Sequence, residues 1–279
     1  MQVSIKYFLI VLVTAIAANM FAGYAGLNYL WTLLMGMGLP ALVAWFMGRK
    51  SLTTNDWKPF LCFEAFAIVS STIIEVVMLY FDTWGFTKSH GRFIGVNFLG
   101  APIEEYIYWW MAPVLVGIIY ITLRKVNKIE EFPPIIEAAI AWIATKSSTA
   151  MNASTSADAS PYLEDDGVTV KNGNYKRGET KFPTWIWIQV LIVGLLIYLK
   201  QYFKGNWLTV LQTSLIFACV AFIGERHAID YGFWAYNTQR VVGIFILNIP
   251  IEEYPMYFLS AIVECVIIDI VGRKYFNMR

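Results

Sequence analysis

The stretch FIGVNFLGAPIEEYIYWW, residues 93–110, returns 148 positions later as VVGIFILNIPIEEYPMYF, residues 241–258, and both versions set Pro-Ile-Glu-Glu in an apolar run. Residues 82–106 align with 230–254 without a gap. Nine of those 25 pairs are identical, among them Asp82/Asp230, Arg92/Arg240, Pro102/Pro250, Glu104/Glu252 and Glu105/Glu253. The chain is therefore an internal duplication, and its apolar segments divide into two similar halves.

Working outward, the 279 residues are 58% hydrophobic, 16% aromatic and only 15% charged, too apolar for a soluble protein of this length. A spanning helix needs about 20 mainly apolar residues. The sequence predicts seven, at 5–22, 27–47, 60–81, 93–123, 184–199, 207–223 and 241–271. The expected fold is an all-α integral membrane protein with about seven transmembrane helices: two homologous three-helix repeats plus one extra N-terminal helix. The domains follow as an N-terminal transmembrane helix at 1–26, repeat 1 at 27–123, a linker at 124–183 and repeat 2 at 184–279.

Residues 147–182 are rich in Ser, Thr, Asp, Lys, Asn and Gly, the composition of a flexible linker. Residues 135–145 are apolar but too short to span and read as an interfacial helix. This linker is read as not crossing the membrane, so the two three-span repeats are expected to be inverted relative to each other, with a site near the midplane. If it crosses, they are parallel. The first span, with Lys6 before it and Ala15-Ile16-Ala17 near its end, resembles a secretory signal, and is read as a retained helix. With seven spans, 14 of the 21 Lys and Arg fall on the N-terminal side, so the expected location is a cell membrane, multi-pass, with a cytoplasmic N-terminus.

The net charge of +1 and the lack of a basic block give no footprint for nucleic acid. Cys62, Cys219 and Cys265 are odd in number and sit in separate apolar runs, unlike a disulfide framework. His90 and His227 lack the companions a zinc site needs, so no metal is expected. Gly36-Met37-Gly38-Leu39-Pro40-Ala41 matches a dinucleotide fingerprint on paper, but lies in a span with no preceding strand and reads as helix packing. No phosphate-binding loop or aspartate-rich magnesium motif appears.

What stands out is the acid. Read as continuous helices from Phe93 and Val241, the segments place Glu104 and Glu252 about 16 Å deep in a hydrocarbon layer roughly 30 Å thick. A charged carboxylate at that depth costs at least about 2.5 kcal/mol, which makes these groups candidate proton donors. Within such helices Pro102 and Pro250 would free the carbonyls of Phe98 and Ile246. Glu105 shares a helical face with Trp109, and Glu253 with Tyr257, four residues on. Asp82 and Asp230 end the preceding spans, near Trp84, Tyr231 and Trp234, while Trp110 and Phe258 lie just beyond the acids. Aromatic faces attract cations, so the pattern suits a reaction that makes a carbocation by protonation and ends it by deprotonation. The plainer reading of the carboxyls is interhelical hydrogen bonding. Glu64, Glu75, Glu264 and Asp269 lie within or near spans but have no repeat partner and read as structural.

An aspartate, a tryptophan-containing stretch and then Pro-x-Glu-Glu, repeated in two three-helix halves, resembles the membrane-bound, heterodimer-type lycopene cyclases, here with both halves fused. The resemblance covers about 27–123 and 184–271. It implies a carotenoid cyclase, an isomerase of the intramolecular-lyase type. The implied reaction is the non-redox closure of the ψ-ends of lycopene to β-rings, giving β-carotene via γ-carotene. Catalytic roles would fall on Glu104, Glu105, Glu252, Glu253, Asp82 and Asp230. Substrate contacts would fall on Trp84, Trp109, Trp110, Tyr231, Trp234, Tyr257 and Phe258. No cofactor is expected. The implied partners are lycopene, the lipid bilayer and other enzymes of carotenoid synthesis. The same family closes C50 and other linear carotenoids and makes other ring types. From a different class, a proton-coupled transporter shares the pattern of midplane carboxyls in two three-helix repeats.

Overall fold

The computed structural model describes residues 3–50, 52–81, 83–86, 93–126, 184–236 and 241–278. The proposed linker and its 135–145 helix lie outside these residues. Among the described residues seven helices form: α1 (Val3–Tyr24), α2 (Tyr29–Gly48), α3 (Thr54–Tyr80), α4 (Ile103–Val126), α5 (Thr184–Leu199), α6 (Trp207–Asp230) and α7 (Glu253–Tyr275). Six are long and apolar enough to cross a membrane, while α5 is shorter at 16 residues. An all-α membrane protein is the result. Local chemistry sets several boundaries. The Asn28 side chain accepts from Trp31 at the start of α2, Thr53 and Asp56 form a capping box on α3, and Asn206 accepts from Leu208 at the start of α6. A π-helical turn, Leu34–Gly38, interrupts α2.

The segments before α4 and α7 are not helical, which corrects the continuous helices expected from residues 93 and 241. Each is a tight hairpin: β2 (Asn97–Phe98) pairs with β3 (Ala101–Pro102), and β5 (Phe245–Ile246) with β6 (Ile249–Pro250). The two-residue turns, Leu99-Gly100 and Leu247-Asn248, have φ of 46° and 95°, and of 51° and 64°. Both central residues at positive φ is the geometry that matches strand twist in a hairpin, and a leucine held there in both repeats is a strained, over-determined position. Pro102 therefore lies in a strand opposite Asn97 and breaks no helix. The Ile246 carbonyl is taken by the Tyr254 hydroxyl at 2.6 Å.

A further pair, β1 (Trp84–Phe86) and β4 (Trp234–Tyr236), ties the repeats together antiparallel, Trp84 opposite Tyr236 and Phe86 opposite Trp234. This pairing makes 84 the counterpart of 234, an offset of 150. The chain turns leading into it agree. The Thr83 amide bonds the Met78 carbonyl as Phe233 bonds Ala228, and Phe81 bonds Val77 as Tyr231 bonds His227. In the hairpins the offset returns to 148, since Ile103 bonds Val96 as Ile251 bonds Ile244. Two residues are thus gained in repeat 1 between Phe86 and Arg92, and the gapless alignment is out of register upstream of them. Asp230 corresponds to Tyr80, and Glu75 corresponds to Glu225.

The two repeats run the same way through the bundle. At one end Lys125 pairs with Asp56 at 2.9 Å, and Arg124 and Arg273 both pair with Asp269, at 3.3 and 2.7 Å. This end joins the last turns of α4 and α7 to the start of α3. At the other end Ile188 and Ile192 of α5 join Tyr29, Phe233, Trp234 and Met256 in one apolar cluster. Both repeats therefore start at the hairpin end and finish at the ion-pair end, the parallel case rather than the inverted one. Arg226 then belongs to the hairpin end. Arg49, Lys50, Lys58, Arg124, Lys125, Lys200, Lys204, Arg273 and Lys274 all flank the ion-pair end. Helix α1 packs along this core through Tyr7, Val11, Ala15, Ala18 and Ala22, all buried.

Candidate functional site

The hairpins cap the open ends of α4 and α7, and the acidic pairs stand in the first turn of those helices rather than at mid-span. Glu104 and Glu105 open α4, and Glu252 caps α7 with Glu253 following. Their burial comes from the hairpins folded over them and from α2, α3 and α6 around them. All four are at most 4% exposed.

Glu104 and Glu252 are held in the same way. Glu104 Oε1 accepts from the Ile94 amide at 2.6 Å, and Glu252 Oε1 accepts from the Val242 amide at 2.7 Å, one bond in each repeat. In both residues Oε2 is buried and meets no hydrogen-bond partner among the described residues. Each carboxyl is thus oriented by one oxygen and presents the other to the interior. Gln189 on α5 donates to the Glu252 carbonyl, a contact by which α5 steadies the turn into α7.

The second glutamate of each pair joins a larger group. Glu105 Oε2 accepts from the Tyr29 hydroxyl at 3.0 Å and lies within electrostatic reach of Glu75, Glu225 and Glu104. Glu75 Oε2 accepts from Trp109 Nε1 at 2.9 Å. Glu225 Oε1 accepts from the Tyr236 hydroxyl at 2.6 Å, and the Tyr257 hydroxyl also donates to Glu225. Trp109 and Tyr257 are repeat counterparts, so the same contact, an aromatic donor on the helix after the hairpin to a glutamate on the helix before it, is built twice. Glu253 lies close to Tyr108, Tyr236 and Tyr257. Among the described residues Glu105 and Glu225 pair with no cation; phenol hydroxyls are their partners. Carboxyls and π-faces share one apolar volume, with Tyr29 stacked on Phe233 at 4.9 Å and Trp234 edge-on to Tyr236 at 5.0 Å.

Of the residues expected from sequence, this brings together Glu104, Glu105, Glu252, Glu253, Trp109, Tyr257 and Trp234. Others stand apart. Asp230 is in an exposed i,i+4 ion pair with Arg226 at 2.7 Å, and Tyr231 stacks on His227 at the bundle end. Trp110 donates to Thr72 at 3.3 Å, and Phe258 packs on the main apolar core. Asp82 lies outside the described residues, and Trp84 contributes its backbone to the strand that joins the repeats. Glu75, expected to have no repeat partner, has one in Glu225. Sequence reasoning missed Glu225, Tyr29, Tyr108 and Tyr236. The usable signal was a glutamate in each pre-hairpin span, displaced by two from the gapless register.

Residues 28–123 and 181–269, about two thirds of the chain, match the family model described as lycopene cyclase. No curated protein and no solved structure matches the chain.

Proposed function

This chain belongs to the lycopene cyclase family, and from that premise we propose that it closes the linear ends of lycopene to β-rings, giving β-carotene through γ-carotene. The observation that carries the reading is the convergence of buried glutamates from both repeats with phenol and indole donors under the paired hairpins. Ring closure needs a proton delivered to a terminal carbon–carbon double bond. The next double bond attacks the resulting tertiary cation, and a base then takes a ring proton, leaving no net redox change.

The open Oε2 of Glu104 or Glu252 is the assigned donor, because its other oxygen is tied to a backbone amide and its aim is therefore defined. A carboxylate of the inner group, Glu75, Glu105, Glu225 or Glu253, is the assigned base. Trp109, Trp234 and Tyr257 supply the π-faces that stabilise a cation where water is excluded. The hairpins and α5 keep water out of this end. In the same proposal the ion-pair end, with its Lys and Arg, faces the cytoplasm.

Expression in bacteria that accumulate lycopene, with chromatography of the extracted pigments, tests this directly. β-Carotene or γ-carotene is the expected product. Unchanged lycopene beside membrane-inserted protein would refute it, and rings on a longer linear carotenoid would move the substrate within the family.

A further inference from the structure

Beside the carboxyl group lies a small cavity with room for about one water molecule, lined by Asn19, Tyr29, Thr32, Gly36, Tyr108 and Glu225. Two of its wall groups are polar and lack partners. Asn19 Oδ1 and Thr32 Oγ1 are buried and bond nothing among the described residues, and the two residues are only 3% and 4% exposed. A bare acceptor or hydroxyl inside a protein is unfavourable, whereas a water that accepts from the Thr32 hydroxyl and donates to Asn19 Oδ1 satisfies both. The surrounding backbone is shaped for this. The π turn of α2 spans Leu34–Gly38 at the cavity wall, a feature that recurs at functional sites. Gly36 lets α1 come close, since a Cβ there would lie 2.9 Å from the Asn19 amide.

The cavity also lies between the repeats: Glu225 belongs to repeat 2, and Tyr29 donates to Glu105 of repeat 1. We propose that a water bound by Asn19 and Thr32 carries a proton between Glu225 and Glu105, resetting the acid and base after each ring closure. This rests on the ring-closing reading. With Glu104 as donor and Glu225 as base, closure is proton-neutral overall but leaves Glu104 one proton short and Glu225 one proton over. In the reset, the Glu225 O–H breaks as the water oxygen takes its proton. The water passes one of its own protons to the Tyr29 oxygen, Tyr29 gives its proton to Glu105 Oε2, and Glu105 gives a proton to Glu104, the spent donor beside it. Every species ends with its normal number of bonds, and no electron changes hands. Helix α1 lies before both matched segments, so Asn19 is a positioning residue that this chain adds from outside them.

The test uses the whole protein reconstituted in lipid vesicles with lycopene. Thr32→Val keeps the shape and removes the hydroxyl, Asn19→Leu removes the amide, and Thr32→Ser restores the hydroxyl. The expected result is a first turnover at the wild-type rate, with later turnovers slowed roughly 100-fold, the lower range for a positioned proton-transfer group. The slowed phase should show an increased solvent deuterium effect, and Thr32→Ser should recover the rate. Wild-type steady-state turnover in both Thr32→Val and Asn19→Leu would overturn the relay. So would a structure at water-resolving resolution that shows the cavity dry. A water-filled cavity in a protein that closes no rings would instead refute the proposed reaction, and the relay with it, while leaving the water site.

Discussion

Replacing Glu104 separates its two oxygens. Oε1 accepts from the Ile94 amide at 2.6 Å, while Oε2 is the open oxygen assigned to the substrate. In Glu104→Gln the amide oxygen can still accept from Ile94, so the hairpin stays anchored and the acid alone is lost. Glu104→Ala loses both. A hydrogen bond to the neutral acid is worth about 0.5–1.5 kcal/mol, so its loss costs about 1 kcal/mol. Such a change shifts Tm by about 2–4 °C in a chain of this size. Loss of a general acid lowers rate by about 10²–10⁴. The assays are pigment chromatography in lycopene-accumulating cells and thermal stability of the purified protein by fluorescence-detected size exclusion. Both variants should lose ring formation, and only Glu104→Ala should lose several degrees. Glu252→Gln and Glu252→Ala should repeat the pattern through Val242. Normal cyclisation by Glu104→Gln and Glu252→Gln would refute the donor assignment, and equal loss of Tm in Gln and Ala variants would refute the hairpin bond as its cause.

Glu225→Leu strips the acceptor from two buried phenols, Tyr236 and Tyr257; a loss of about 2–3 kcal/mol is expected from the stranded hydroxyls, together with loss of cyclisation, measurable by the same two assays. Asp269→Asn, at the far end of the bundle, leaves Arg124 and Arg273 without their shared buried carboxylate. A cost of about 3–5 kcal/mol is expected, with turnover per folded molecule unchanged. Cysteines placed at Lys204 and Leu247 should react oppositely with an impermeant maleimide in intact cells. Position 247 should be labelled from outside and 204 only after lysis, and the reverse would overturn the sidedness.

Membrane class, duplication and acidic motif were legible in the residues alone, because lipid as solvent demands long apolar runs and tolerates few carboxyls within them. Spacing along a helix likewise marked Trp109 and Tyr257 as partners of the acidic region. The runs at 93–102 and 241–250 were misread as helix because apolarity is shared by a buried hairpin and a span. What separates them is backbone geometry at Leu99-Gly100 and Leu247-Asn248. The direction of repeat 2 was expected to be inverted, but it depends on where the chain re-enters the bundle, and the packing of α5 beside Glu252 makes the repeats parallel. Glu75 and Glu225 were invisible as a pair for a different reason. A gapless comparison assumes one register, whereas two residues gained beyond Phe86 shift everything before them, and cross-strand bonds between Trp84 and Tyr236 restore the true alignment. Sequence periodicity reports which residues share a face of one element, and the convergence of carboxyls from α3, α4, α6 and α7 depends on how separate elements pack, which only the folded structure contains.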